Sequence, residues 1–396
     1  MGLNVLCLHD SSLPALFTTE TVTGKEMRLI QELDFVDRVY AISRGGSDYV
    51  GGDSGAVEPK IEVTHIPFLA KGKLGPAYYL FSFSTALRLI LRRRIDIIHA
   101  ESPLWSGPVA IILCKLFRRP CIVEIRANYD RLIDHYYEHI PRFLKRAIVN
   151  GLRSFCYRYA DHIVANSSFH RLECLKSASS EKVSQVNPGL TFDDSLIEAW
   201  KKSKDDRFTI GFIGRLVESK GVGYLLKAAD YMVREKGFQD FTVLIVGEGK
   251  SRQDFEKLAG QLGLEPYVRF AGQRRNLEWI SKFDVLINPS LEAPALDMVN
   301  IEAYACKVPV IAFGEGGLPE TVLDGQTGFI VKPASYKLLA EKIILLHDDP
   351  ALRAKLAKQG YEYLMQNYSF ESQVKRLAQV YRAALRDRVR VHREGS

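Results

Sequence analysis

Two cations stand five positions apart in the octet GRLVESKG, Gly214 to Gly221. Arg215 and Lys220 lie between bounding glycines, after the apolar run FTIGFI and before the helical pattern VGYLLKAADYMV. An arginine offers a planar fork of N–H donors and a lysine a compact point charge. Together they suit a diphosphate, provided that glycines such as Gly214 let the backbone come close. A solvated charged turn is the other reading of the octet alone. A second glycine loop, LIVGEGKSR, sets Gly247 and Gly249 after FTVLI. Tight turns use glycine for purely conformational reasons, so a G-x-G here does not by itself identify a nucleotide site.

The stretch LINPSLEAPALDMVNIEAYACKVPVIAFGEGGLPETV carries more information. A strand is expected to end at Pro289, an irregular loop to run to about Asp297, and MVNIEAYAC to form a helix. The first-turn amides of that helix, at Met298 and Val299, and its dipole favour phosphate oxygens. Glu302, about one turn in, can accept two hydroxyl hydrogen bonds at once, as a ribose diol requires. A plain surface glutamate is the alternative. The loop GEGGLPE starts a further helix near Leu318 at the same edge.

Loops of this kind need strands to end in them. Short β-rich apolar runs alternate with helical patterns along the chain: NVLCLH, RVYAIS, KIEVTHI, IDIIHA, CIVEIRA and HIVANS, then FTIGFIG, FTVLIVG, VRFAG, DVLINPS, VPVIAFG and GFIV. Continuous rather than alternating apolar strands with helices between them mean parallel sheets covered on both faces, an α/β architecture. The 396 residues, 46% hydrophobic, are enough for two cored domains. The polar run LTFDDSLIEAWKKSKDDR, 190–207, is the expected boundary, with one domain near 1–190 and the other over 207–370. The tail to about residue 390 reads as an amphipathic helix with a basic end, expected to pack back on the first domain.

Six cysteines lie scattered without a C-x-x-C pair, several in apolar runs, which fits a reducing compartment. No signal-peptide pattern and no apolar run of about 18 residues is present, so a cytoplasmic protein is expected. A net charge of +7 is mild for this length and suggests anionic ligands or a membrane surface; no nucleic-acid module is recognisable.

The first strand leads into HDSSLPALFTTETVTGKEMRLIQEL, where Thr23 and Glu26 fit a capping box. HYYEH, His135 to His139, matches an H-x-x-E-H metal pattern, but Pro141 follows at once and five residues match easily by chance, so no metal site is expected. Basic and aromatic residues interleave in YYEHIPRFLKRAIVNGLRSFCYRYA (Arg142, Lys145, Arg146, Arg153 and Arg158 among them) and again in YYLFSFSTALRLILRRR. Such segments can lie on an anionic bilayer, or can be core helices with a solvated basic face.

Together these motifs resemble the retaining nucleotide-sugar glycosyltransferases of the GT-B fold, in particular family 4, over almost the whole chain. GRLVESKG is similar to that family's G-R-L-x-x-x-K-G, and PS…IEAYACKVPVIAFGEGGLPETVLDGQTGFIV to its donor-site signature. The resemblance implies two Rossmann-like domains facing across a cleft, with the donor on the C-terminal one and the acceptor on the N-terminal one. Arg215 and Lys220 would hold the donor diphosphate, Glu302 the ribose, and Gln273 and Arg274 would lie beside the base. No cofactor or metal is implied, since the nucleotide sugar is itself the substrate. Gly24 stands where the family often has an acceptor-side Gly-Gly. Arg126 stands where it usually has a histidine near the reacting centre. Arginine cannot act as a base; it would hold an acceptor phosphate or the departing diphosphate, or else pair structurally with Glu124 or Asp130. Glu101, ending the preceding strand, is a second candidate.

One departure is marked. The family's first donor-site glutamate is Pro294 here, and Asp297 stands at the last glycine of its Gly-Phe-Gly, so either Glu292 or Asp297 would take the sugar contact. The implied function is hexose transfer from a nucleotide diphosphate to a hydroxyl acceptor with retention, in polysaccharide or glycolipid assembly on a lipid-linked acceptor, by a cytoplasmic protein on the membrane face. A sugar-nucleotide epimerase of the same fold and a non-catalytic binding subunit are the rival readings.

Overall fold

The computed structural model describes residues 2–12, 29–30, 32–44, 55–58, 60–66, 76–126, 129, 141–201, 207–274, 276–292 and 296–394. The chain divides into two compact units, Met1–Asn187 with Gln373–Ser396, and Pro188–Ser372.

The N-terminal unit runs β1 (Leu3–Ser12), β2 (Val36–Arg44), β3 (Gly55–Glu58), β4 (Ile61–Ile66), α1 (Pro76–Arg92), β5 (Ile97–Ala100), α2 (Ser106–Phe117), β6 (Cys121–Ile125), α3 (Arg142–Tyr159), β7 (His162–Ala165), α4 (Ser168–Cys174) and β8 (Val183–Gln185). Its sheet has the order β3-β4-β2-β1-β5-β6-β7-β8. Strands β5, β6 and β7 are buried at every residue, as continuous apolar runs between two helical layers must be. Every neighbouring pair is parallel except β3 with β4. Only residues 59 and 60 separate β3 from β4, far too few for the crossover that a parallel pair needs.

The C-terminal unit runs α5 (Asp194–Lys201), β9 (Phe208–Ile213), α6 (Val222–Arg234), β10 (Phe241–Val246), α7 (Arg252–Gln261), β11 (Val268–Gly272), α8 (Asn276–Ile280), β12 (Val285–Asn288), α9 (Met298–Ala305), β13 (Val310–Phe313), α10 (Leu318–Thr321), β14 (Gly328–Val331), α11 (Tyr336–Asp348) and α12 (Pro350–Asn367). The all-parallel order is β11-β10-β9-β12-β13-β14. The charged run read from sequence as a boundary forms α5 inside this unit. Its Ile197 is buried in the core, with Trp200 one turn on packed against the same cluster. Charge density hid a helix with a narrow apolar stripe.

The final helix α13 (Phe370–Glu394) belongs mainly to the N-terminal unit. Tyr381 is fully buried there and its hydroxyl lies 2.7 Å from His99 Nδ1, while His162 Nε2 is 3.1 Å from Asp387. All six cysteines are buried free thiols.

Candidate active site

In the C-terminal unit the chain goes from β9 to β10 and β11 on one side, then returns to β12 on the other. In open parallel sheets, such a reversal of strand order leaves a crevice at the carboxyl ends where ligands bind. The loop after β9 carries Arg215 and Lys220, and the loop after β12 carries Asp297. Two glycines are dictated by how closely these loops pass one another. At Gly247 (φ 139°) a Cβ would stand 1.8 Å from the Gly214 carbonyl oxygen; at Gly221 (φ 71°), 1.9 Å from that of Pro289. The G-x-G of the second loop therefore serves backbone packing, and stitches it through Gly214 N–H to Val246 O (3.0 Å) and Leu216 N–H to Glu248 O (2.9 Å).

The two cations differ in their surroundings. Arg215 is exposed and holds no ion pair among the described residues. Lys220 closes a short 3₁₀ turn, Glu218–Lys220, and its ammonium donates to Asp297 Oδ2 at 3.2 Å. Asp297, only 7% exposed, is the N-cap of α9; its other oxygen accepts from Val299 N–H at 3.4 Å. It also accepts from Asn288 Nδ2 at 3.1 Å. From there a buried amide network continues: Asn288 Nδ2 donates to Asn300 Oδ1 (2.9 Å), and Asn300 Nδ2 to Thr321 Oγ1 (2.8 Å) at the end of α10. Three strand-end loops are thus joined through residues that sequence reasoning missed. The available signal was Asn288 ending an apolar strand and Asn300 on the buried face of a helix. Asp297, one of two expected sugar ligands, spends its oxygens on a helix cap, a lysine and an amide instead.

Met298 and Glu302 lie one turn apart and share a face of α9. Glu302 Oε2 accepts from Asn276 Nδ2 at 2.7 Å, at the first residue of α8. Gln273 and Arg274 are exposed in the loop just before α8, and the Arg274 guanidinium lies 5.7 Å from the Trp279 ring centroid. The residues expected beside base and ribose are therefore neighbours. Glu292 is exposed and lines a groove of about 570 Å³ with Ser219, Tyr224, Lys227 and Asp254, which neither Arg215 nor Lys220 lines. Pro294 lies outside the described residues.

The N-terminal sheet has its own reversal of strand order between β1 and β5. At that point His9 Nδ1 stands 2.8 Å from Glu101 Oε1. Arg126, following β6, donates to Glu101 (Nη1, 3.1 Å) and in a bidentate manner to Glu124 (Nε 2.8 Å, Nη2 2.9 Å). His99 Nε2 lies 3.4 Å from Glu124 Oε2, the oxygen that also accepts from Arg126 Nη2. Glu101, Glu124, His9 and His99 are all nearly or fully buried. Of the two roles open to Arg126, this arrangement realises the structural one, with Glu124 and also with Glu101. A guanidinium held by two buried carboxylates could take a phosphate only by leaving them uncompensated. The network continues through Asn166, whose Nδ2 donates to the Arg126 carbonyl (3.1 Å) and whose Oδ1 accepts from His170 Nδ1 (2.6 Å). Burial pushes the His170 pKa down from 6.5 to about 4. Gly24, Thr23, Glu26, Asp130 and the HYYEH segment lie outside the described residues.

On α3 the basic residues divide. Arg142, Arg146 and Arg158 are exposed beside Phe143, Leu144, Ile148 and Tyr159, whereas Lys145 is buried and Arg153 pairs with Glu173. Helix α2 packs between α1 and α3 and adds exposed Ile112 and Leu116, and α1 adds Leu80 and Leu91.

Two family models match the chain: the glycosyl transferase 4-like domain over 22–189 and glycosyl transferases group 1 over 194–363. D-inositol 3-phosphate glycosyltransferase of Streptomyces avermitilis is 31% identical over 258 residues, 59% of this chain and 54% of that protein. The matched stretch thus spans about half the length of that relative. Among solved structures, sucrose-phosphate synthase of Thermosynechococcus elongatus aligns with a TM-score of 0.72 at 19% identity, over 96% of this chain and 98% of the other. Anabaena HepE in complex with UDP aligns at 0.71 and 19%, over 96% and 100%. Both likenesses are of fold, and the fold is GT-B. With 22–189 and 194–363 matched by these two glycosyl transferase models, which together span most of the chain, the chain belongs to the group 1 glycosyl transferases with a 4-like N-terminal domain.

Proposed function

We propose that the protein transfers a hexose-type sugar from a nucleoside diphosphate to a hydroxyl group with retention, the acceptor being lipid-linked and the product part of a polysaccharide or glycolipid. One observation carries the donor half. At the reversal of strand order in the C-terminal sheet, Lys220 of the β9 loop reaches Asp297 at the N-terminus of α9, with exposed Arg215 in the same β9 loop and Glu302 about one turn into the helix. Arg215 and the α9 amides favour the charge that builds on a departing diphosphate. In such a transfer the bond from the anomeric carbon to the diphosphate oxygen breaks with its electron pair going to the phosphate. The acceptor oxygen bonds to the same face of the carbon, and its proton passes to the departing phosphate oxygen. No protein base is required, in keeping with Arg126 being committed to two carboxylates. The N-terminal unit would take the acceptor.

The lipid half rests on the arginine-flanked apolar surface of α1, α2 and α3. Aromatic and aliphatic side chains beside exposed arginines suit an anionic bilayer face. No helix among the described residues is long and apolar enough to cross a membrane, and the contact proposed is a surface one.

Because HepE was solved with UDP, uridine diphosphate is the first ligand to titrate. Binding by calorimetry, followed by sugar transfer from UDP-glucose to lipid-linked acceptors, supports the reading. Isomerised sugar nucleotide without acceptor marks an epimerase, and binding without any turnover marks a non-catalytic subunit. A folded protein that binds none of the uridine, guanosine or adenosine diphosphates overturns it. For the membrane half, Phe143→Glu with Ile148→Glu should abolish sedimentation with phosphatidylglycerol vesicles; undiminished sedimentation refutes that surface.

A further inference from the structure

Asp297 is a carboxylate placed where the proposed donor site needs cations and free amides. It is 7% exposed and its oxygens meet three donors: the Lys220 ammonium at 3.2 Å, the Asn288 amide at 3.1 Å and the Val299 backbone N–H at 3.4 Å. Two of these, the lysine and the first-turn amide of α9, are the groups that a diphosphate oxygen would engage. The carboxylate is also fixed in place, because Asn288 is itself held by Asn300 (2.9 Å) and by Ser290, which donates to Asn288 Oδ1 at 2.8 Å. A glycine at this position would leave the same lysine and amide without an acidic partner.

We propose that Asp297 acts as an internal stand-in for the donor phosphate, so that diphosphate enters by exchange: phosphate oxygens take over Lys220 and the α9 amide as the carboxylate gives them up. This inference rests on the donor-site reading above and deepens it. The direction of the effect follows from charge. A fixed anion beside the seat repels a diphosphate, and each contact that phosphate gains with Lys220 is offset by one that Asp297 loses. The Lys220–Asp297 contact holds the ammonium at the N-terminus of α9, and the departing diphosphate meets a competing carboxylate ready to replace it. The residue therefore lowers the affinity for nucleoside diphosphate and speeds its release. It touches the groups that hold substrate and sets their strength.

The test compares wild type with Asp297→Asn, and with Asp297→Ser, which removes the charge but keeps a side-chain oxygen able to cap α9. The probes are UDP and inorganic pyrophosphate, titrated by calorimetry, with melting temperature recorded without ligand. Both variants are expected to melt no higher than wild type yet bind UDP and pyrophosphate on the order of tenfold more tightly. Where turnover is measured, UDP should also become a stronger product inhibitor, with kcat falling alongside the donor KM. A purely structural cap predicts the same or lower stability but weaker binding, so the direction of the affinity change decides between the two. Equal or weaker affinity in both variants, with wild type binding normally, overturns the stand-in while leaving the donor site intact. Binding seen only in the variants supports it in its strongest form. Absence of UDP and pyrophosphate binding in all three folded proteins overturns both the donor site and this inference.

Discussion

Removing the Arg215 side chain should separate binding from stability more cleanly than any other single change in the site. Arg215 is exposed and without an ion pair among the described residues, so Arg215→Ala should alter folding by no more than about 0.5 kcal/mol, the range for surface positions without special contacts. Each charge-assisted hydrogen bond lost to a diphosphate costs about 1.5–3 kcal/mol, and exposure to solvent argues for the lower end. Two donors from the guanidinium fork then give about 3 kcal/mol, a roughly 100-fold loss of UDP affinity. Lys220→Ala should behave differently. It leaves the buried Asp297 carboxylate with only the Asn288 and Val299 donors, at a cost of about 1–3 kcal/mol to the folded state. Its loss of UDP affinity should be the smaller, because the wild-type lysine must first share or surrender Asp297. Calorimetric titration with UDP and thermal melting of both variants make the comparison. Unchanged UDP binding in Arg215→Ala, or equal drops in melting temperature for the two, would refute the reasoning.

Three further outcomes follow from the geometry. Glu302→Gln should weaken UDP about tenfold while leaving 2′,3′-dideoxyuridine diphosphate unaffected, since only the former offers the diol; equal losses for both ligands would remove the ribose assignment. Gly247→Ala places a Cβ 1.8 Å from the Gly214 carbonyl oxygen in a left-handed conformation, so unfolding in urea should show a loss of at least about 2 kcal/mol, and a loss under about 0.5 would contradict the packing described. His170, with its pKa pushed down to about 4 by burial, stays neutral in the folded state while the unfolded chain protonates near 6.5. Its contribution is therefore intact above about pH 6.5 and falls away as pH drops towards 4, by about 3 kcal/mol in all. His170→Gln should flatten the stability profile across that window, and an unchanged slope would show that other groups govern it.

Much of this is legible in the sequence. Twelve of the fourteen described strands appear as short apolar runs, because a strand covered on both faces has no solvent side to mark; β3 and β8, the two edges of the N-terminal sheet, carry no such run and are not read from the sequence. The octet around Arg215 and Lys220 and the start of α9 were readable because glycines, cations and a helix start are local features. The fate of Arg126 was not, because it depends on Glu101, whose place beside it is created by the parallel pairing of β5 and β6. The same holds for α5, whose charge concealed the one stripe that docks it.

The sequence alone determined the fold class, the strand-end loops and the types of group offered to an anionic donor, since those follow from short-range patterns of apolarity, charge and backbone freedom. Which of those groups are already engaged was decided only by the tertiary structure. Lys220 and Asp297 are separated by 77 positions, and Asn276 and Glu302 by 26. Two polar groups meet at such separations only when the order of strands in a sheet brings their loops together, and an interaction that falls off over a few ångströms cannot be read from spacing along a chain.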